Sequence, residues 1–332
     1  MDGVFAAVRS LYRFSRTVFV VVLGRLRRRA LHPAWSPTQE IVFGVFRASA
    51  RAEGKRGAVR AHALLPSPPR WLLPRAVGNE PSSVAGLPAE VTTPRGWCDT
   101  DPVVLYLHGG GYGVCSPGTH RMLVAELARA SGAKCVAIDY RLAPAHPFPA
   151  ALHDSLAAYR ALRATIPASR LFLAGDSAGG GLAAATCLAL RDAGDSLPAG
   201  AYLMSPWLDL TVSEPSIDEN IATDYLDREL LELYARNYCG DRAADDPLIS
   251  PVHGDLSGLP PLLIQAGELE ILRDESVTFA RRAGEAGVEV SLEVEPAMIH
   301  VYPAFGRLVP AASAALARAG AWIRARSEAE EV

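Results

Sequence analysis

The chain has 332 residues, ample for one large α/β domain or two small ones. Its 49% hydrophobic and 21% charged content are ordinary for a soluble globular enzyme, and a net charge near −3 gives no reason to expect a nucleic-acid partner. Five scattered cysteines (Cys98, Cys115, Cys135, Cys187, Cys239) form no CxxC pair, which argues against a disulfide scaffold or a zinc site and fits a reducing, cytoplasmic compartment.

Residues 1–52 read as helical, with a break near Pro33 and Pro37. The apolar run 17–23 is preceded by Arg9, Arg13 and Arg16 and followed by Arg25, Arg27, Arg28 and Arg29. It falls far short of the ~20 residues that span a bilayer. No small-residue cleavage site follows it, so a signal peptide is not predicted. Two readings stay open for this segment: an amphipathic helix packed on its own domain, or a basic helix lying on an anionic membrane surface.

Residues 65–102 are rich in Pro, Gly and Ser, with short extended pieces such as 87–93. Apolar runs of strand length then occur at 103–107, 134–138, 171–174, 201–204, 261–265 and 288–294. Ala/Leu/Arg-rich stretches of helical period separate most of them, for example 120–131, 151–165 and 179–193. Strand–helix alternation with continuously apolar strands predicts an α/β fold, its mostly parallel central sheet covered by helices on both faces. Residues 211–247 break the alternation and carry their own helical pattern. An insertion there sits at the carboxyl ends of the strands, over the place where open α/β sheets bind ligands, and reads as part of a lid.

Two motifs carry chemistry. His108-Gly109-Gly110-Gly111 directly follows the strand 103–107. Glycines after a strand let backbone N–H groups approach an anionic atom, so those of Gly109 and Gly110, with that of Ala178, are candidate oxyanion donors. No GK[ST] or GxGxxG follows, which argues against a phosphate loop. His108 itself reads as holding the loop. Residues 171–181 place Gly175-Asp176-Ser177-Ala178-Gly179 between a strand and a helix. A sharp strand-to-helix turn needs glycine at 175 and 179 and leaves the Ser177 hydroxyl exposed beside the helix start. The same string is similar to the GDSGG of trypsin-like proteases. Those are all-β, and their histidine and aspartate precede the serine, so that reading fails.

Taken together, HGGG and GDSAGG, with Asp139-Tyr140-Arg141-Leu142-Ala143-Pro144, His146-Pro147-Phe148-Pro149-Ala150, Ser205-Pro206-Trp207-Leu208-Asp209 and Met298-Ile299-His300, resemble the hormone-sensitive lipase-like (bacterial family IV) esterases of the α/β-hydrolase superfamily. The resemblance covers roughly residues 100–305. It implies an α/β-hydrolase catalytic domain (53–210 and 248–332) under a two-part helical cap formed by 1–52 and the insertion 211–247. As part of that cap, Val18, Phe19, Val20 and Leu23 are expected to bury apolar area against the insertion.

The resemblance also implies a catalytic triad with Ser177 as nucleophile and His300 as base. The family has Asp in a D-x-L-x-D-E stretch. Here residues 267–275 read GELEILRDE, and matching Leu272, Asp274 and Glu275 to the end of that pattern puts Glu270 at the acid position. Glutamate orients an imidazole as aspartate does, with one more methylene to accommodate. Glu268 and Asp274 compete for the role, Asp274 being assigned instead to capping the next helix. The order Ser177, Glu270, His300 is that of α/β-hydrolases. Asp176, Gly111, Tyr140, Arg141 and Asp209 resemble family positions near the site, where hydrogen bonding to loops is their expected work. Ala145 stands where the family commonly has Glu, so any ion pair made there by Arg141 must be remade or absent. His146, His153 and His253 have no assigned role.

The expected activity is hydrolysis of carboxylic esters through an acyl-enzyme, with no metal and no cofactor required. The resemblance implies short to medium acyl chains and frequent homodimers. An amidase or acyltransferase using the same triad stays open. A non-catalytic small-molecule receptor is disfavoured, because Ser177, Glu270 and His300 occur together.

Overall fold

The computed structural model describes residues 18–25, 30–54 and 67–328. Arg9, Arg13, Arg16, Arg27, Arg28 and Arg29 lie outside them. Eight strands form one sheet in the order β1-β2-β4-β3-β5-β6-β7-β8. Its centre is β3 (Val103–Leu107), β4 (Lys134–Ile138), β5 (Leu171–Asp176), β6 (Gly200–Met204), β7 (Leu262–Gly267) and β8 (Val290–Glu295), all parallel. β1 (Val77–Val84) and β2 (Leu87–Pro94) add an antiparallel hairpin at one edge.

The apolar strands are apolar because both faces are covered. Along β3, Val103, Leu105 and Leu107 enter one core, and Val104 and Tyr106 the other. The first core is closed by α4 (Ala150–Arg163), α5 (Ala178–Asp192) and α8 (Arg273–Glu285), the second by α3 (Pro117–Ser131) and α9 (Pro310–Glu328). At about 1.5–3 kcal/mol per fully buried aliphatic side chain, these two layers fix the sheet on which the site stands.

The N-terminal segment comprises α1 (18–25) and α2 (Pro37–Gly54). α2 starts on a capping box in which Ser36 and Gln39 each bond the other's backbone N–H, followed by Pro37. Buried Glu40 pairs with Arg25 and accepts the Leu31 N–H. Trp35 donates its indole N–H to Ala297 O at 2.6 Å, and Phe43 packs on Phe305, so this segment seats on the loop that carries His300. The expected buried set of α1 is corrected. Phe19 and Val20 are 66% and 51% exposed, and Val21 is the buried residue of that turn. On a helix this short, one inward position is what a single contact line allows. Among the described residues, no helix is long and apolar enough to cross a membrane.

The segment 211–247 contains α6 (Ser216–Glu219) and α7 (Arg228–Cys239), the latter N-capped by Asp227. The Tyr234 ring of α7 lies against the glycine loop: a Cβ built on Gly111 would meet it at 2.6 Å. Tyr238, one turn on, stacks on Tyr112 at 3.7 Å between centroids.

Candidate active site

Ser177 sits between β5 and α5 with φ 53°, a strained value for a residue with a Cβ. The turn is possible because nothing projects from Gly179, where a Cβ would come within 2.0 Å of Leu107 O. Two bonds hold the strained residue, Ser177 N to Met204 O and Trp207 N to Ser177 O, both 2.9 Å. His300 lies on the loop after β8, and its Nε2 is 2.9 Å from Ser177 Oγ. Both residues are buried, and the Tyr225 ring covers the imidazole at 5.5 Å.

Glu270 stands behind the imidazole on the loop after β7. Its Oε1 is 3.7 Å from His300 Nδ1, within ion-pair range, and among the described residues neither atom has a hydrogen-bond partner. Burial pulls the His300 pKa down. Glu270, with Asp224 and Asp176, outweighs it and holds the imidazole above the ordinary histidine value.

The alternatives to Glu270 point elsewhere. Glu268 is exposed and accepts the Ala297 N–H at 2.8 Å. Asp274 does not cap α8, whose N-cap Leu272 carries no side-chain bond. Its carboxylate takes the Ser216 N–H at 2.9 Å, across to the insertion. That is a correction, and its reason is geometric: the residue falls inside the first turn rather than ahead of it.

The insertion is stitched to this acid loop. Asn220 Nδ2 donates to Glu270 O at 2.9 Å, Thr223 Oγ1 to Leu269 O at 3.1 Å, and Ser216 Oγ to Ile271 O at 2.9 Å. Asp224, fully buried, accepts Ile271 N at 2.8 Å. Burial and then Glu270, opposed by His300, push it up to about 6.

The glycine loop is held by Asp176. Its carboxylate accepts Tyr106 OH at 2.6 Å, Gly109 N at 3.0 Å and His120 Nε2 at 3.2 Å. Gly109, expected among the oxyanion donors, therefore spends its N–H on Asp176, and the expectation is corrected there. Among the described residues the N–H groups of Gly110 and Ala178 have no protein acceptor. Gly110 needs its missing Cβ, with φ +114° and Val114 O at 2.3 Å from where one would stand. His108 stacks on Tyr140 at 4.3 Å, and Tyr140 OH donates to His108 O at 2.6 Å. Arg141 pairs with Asp154 at 2.7 Å, so the ion pair lost with Ala145 is remade on α4. Asp209 accepts Thr211 N and is 3.1 Å from His253 Nε2, in the loop before the insertion.

His120, Ser205, Asn220 and Asp224 escaped the sequence reading. The signal available for His120 was an acid, Asp176, at the end of an otherwise apolar strand, since a buried carboxylate requires donors. A separate cavity of about 700 Å³ opens between α3 and the 302–308 turn, lined by Leu72, Met122, Phe305 and Leu308 among others. None of Ser177, Glu270 and His300 lines it, so it is not the space in front of Ser177.

Residues 104–304 match the family model described as alpha/beta hydrolase fold. The chain is 45% identical to an acetyl-hydrolase of Streptomyces hygroscopicus over 223 residues, 67% of this chain and 75% of that protein. It is 35% identical over 302 residues to the carboxylesterase NlhH of Mycobacterium tuberculosis, covering 86% of this chain and 94% of the other. A crystal structure of an esterase from the bacterial hormone-sensitive lipase family superposes with a TM-score of 0.80 at 38% identity, covering 89% of this chain and 99% of that one. A strained strand-to-helix turn at Ser177, with a histidine in hydrogen-bond reach and a family match across residues 104–304, leaves one assignment: the chain belongs to the α/β-hydrolase fold family, in its hormone-sensitive lipase branch, and is a carboxylic-ester hydrolase.

Proposed function

We propose that the protein hydrolyses short-chain carboxylic esters, acetyl esters foremost, through a Ser177–His300–Glu270 triad. The observation that carries the triad is the 2.9 Å contact from His300 Nε2 to Ser177 Oγ, with Glu270 the carboxylate nearest the far ring nitrogen. His300 takes the hydroxyl proton as Ser177 Oγ attacks the ester carbonyl carbon. The tetrahedral oxyanion is met by the N–H groups of Gly110 and Ala178. His300, now an imidazolium balanced by Glu270, gives its proton to the leaving alcohol, and the acyl group stays on Ser177. Water, deprotonated by the same imidazole, attacks the acyl-enzyme and releases the acid.

The acetyl preference is supported by the similarity to the Streptomyces protein named an acetyl-hydrolase and by the crowding of the site, where Tyr225 covers the histidine and Tyr234 the glycine loop. The insertion 211–247 then serves as the cap that supplies these rings. The test is a p-nitrophenyl ester series from acetate to decanoate with wild type and Ser177→Ala. The variant is expected to lose on the order of 10⁴ or more in kcat while keeping its fold. A tenth of wild-type activity left in it rules out the nucleophile, and a maximum at octanoate or beyond rules out the short-chain reading.

A further inference from the structure

Glu270 is held asymmetrically. Its Oε2 accepts two hydrogen bonds, from Ser205 Oγ at 2.6 Å and Gly267 N at 2.8 Å, while Oε1 accepts none and lies 3.7 Å from His300 Nδ1. We propose that Ser205 is a positioning residue of the acid–base pair, its hydroxyl fixing which oxygen of Glu270 faces His300. The inference rests on the triad reading above and deepens it.

The hydroxyl has one proton and gives it to Glu270. It also accepts the N–H of Val301, the residue after His300, at 2.9 Å. One oxygen atom therefore ties the acid's side chain to the base's backbone. It cannot turn away from Glu270 without disturbing a buried N–H, which is unfavourable wherever a buried donor is left unmet. The anchor is rigid in turn. Ser205 N donates to Gln265 O at 2.6 Å, and the Gln265 side chain is held by Tyr202 OH at 2.5 Å and Ala315 O at 3.0 Å.

A glutamate at this position has one more side-chain torsion than an aspartate, and each unfixed torsion spreads the carboxylate over alternative rotamers. Saturating Oε2 removes that freedom and leaves the unsatisfied charge of Oε1 on the side of the imidazole. Ser205 keeps its proton throughout and touches no substrate, so its effect on the reaction runs through Glu270 alone. A role confined to packing the Ser205–Asp209 turn predicts lower stability and nothing more.

The two roles separate in the titration of His300. Ser205→Gly removes the hydroxyl and tolerates the φ of 43° at this residue. Ser205→Ala is its companion, and Ser205→Cys keeps a weak donor. Each is assayed with p-nitrophenyl acetate from pH 5 to 9, with active sites counted by phosphonate labelling so that misfolded protein does not enter the rate. In Ser205→Gly, kcat is expected to fall roughly 10–100-fold with KM nearly unchanged, the loss that a slightly misplaced catalytic group brings. The acidic limb of kcat/KM moves to lower pH, because a loosened Glu270 no longer holds the His300 pKa up. Ser205→Cys recovers part of both. In a Glu270→Gln background, Ser205→Gly adds little further loss, since the group it positions is already disabled. A crippled Glu270→Gln beside a Ser205→Gly whose kcat and limb stay at wild type overturns the Ser205 inference alone. So does a loss from Ser205→Gly that is undiminished in the Glu270→Gln background. Near-wild-type kcat in Glu270→Gln by itself removes the triad reading, and the Ser205 inference falls with it.

Discussion

Asp176 is where fold and chemistry meet, and it yields the most quantitative expectation. Its carboxylate is 4% exposed and satisfies three donors: Tyr106 from β3, Gly109 from the glycine loop and His120 from α3. Burial raises its pKa, but His120, Tyr106 and Gly109 together bring it below the ordinary aspartate value. Burial lowers that of His120, and Asp176 outweighs it and raises it. The two lie 3.2 Å apart, and each favours the charged form of the other.

Asp176→Ala leaves three buried donors unmet, and breaking a buried pair from one side costs about 3–5 kcal/mol. Asp176→Asn keeps the volume. Its Oδ1 still serves Tyr106 and Gly109, and its amide faces a neutral His120, so charge-assisted bonds become neutral ones at a cost of about 1 kcal/mol each before the gain from burying no charge. The expected order is wild type, then Asn, then Ala. At about 2–4 °C per kcal/mol the alanine variant melts roughly 6–20 °C low. Activity follows the loop: with Gly109 untethered, Gly110 loses its aim, and a lost oxyanion donor is worth on the order of 10²–10³ in kcat.

The pH dependence of the Asp176→Asn deficit carries a definite sign. Asp176, with its pKa lowered, contributes stability above the ordinary value of ~3.9 and loses it as pH falls through the folded one. His120, with its pKa raised, contributes fully below ~6.5 and loses that stability as pH rises through its folded value. The deficit is therefore widest between those limits and narrows toward pH 9. Calorimetric melts at pH 5, 7 and 9, paired with p-nitrophenyl acetate turnover, decide it. A deficit that is flat with pH, or an asparagine variant no better than alanine, refutes the ion-pair account.

Other expectations follow from single contacts. Glu270→Gln is expected to lose orders of magnitude in kcat, whereas Glu268→Gln, at an exposed residue whose carboxylate accepts the Ala297 N–H, stays within about tenfold of wild type; steady-state kinetics on both checks it. The acidic limb of kcat/KM in the wild-type enzyme lies above the ordinary histidine value of ~6.5, because His300 must be neutral to accept the Ser177 proton and its pKa is raised; a limb below 6 contradicts this. Trp35→Ala removes a 4% exposed indole and its bond to Ala297 O, for about 3–5 kcal/mol of stability by denaturant titration, and an unchanged midpoint shows that the N-terminal segment does not hold the His300 loop.

What the sequence disclosed depended on whether a residue's role is local. Strands 103–107 and 134–138 were legible to the residue, since a strand buried on both faces must be apolar throughout. Of the edge hairpin, the extended piece 87–93 was read and is β2, but β1 was not. β1 reads VGNEPSSV, mostly exposed and with Pro81 inside it, and its place is set by pairing with β2 rather than by its own pattern. The strand-to-helix turn at Ser177 was legible because it demands glycine at fixed offsets from the serine. His120 and Ser205 were not, because each acts through a partner more than fifty residues away in sequence: His120 through Asp176, Ser205 through Glu270.

The acid position shows the same division inside one loop. Glu268, Glu270 and Asp274 are carboxylates within seven residues, and neither composition nor spacing ranks them. Pattern matching favours Glu270; the physical reason lies in the sheet. The β7 strand ends at Gly267, where a Cβ would come within 2.4 Å of Met298 O, so the two loops after β7 and β8 are pressed together. The first carboxylate past that contact, Glu268, is turned outward to Ala297. The third, Asp274, is drawn to Ser216. The one between them meets Ser205 and the Gly267 N–H on one oxygen and has only His300 on the other. The insertion then fixes that arrangement through the backbone of residues 269–271, which accepts or donates to Ser216, Asn220, Thr223 and Asp224. A segment that reads as a lid over the site is thus also a brace behind Glu270. Mutations in 216–224 are accordingly expected to lower kcat even where their side chains never meet the ester.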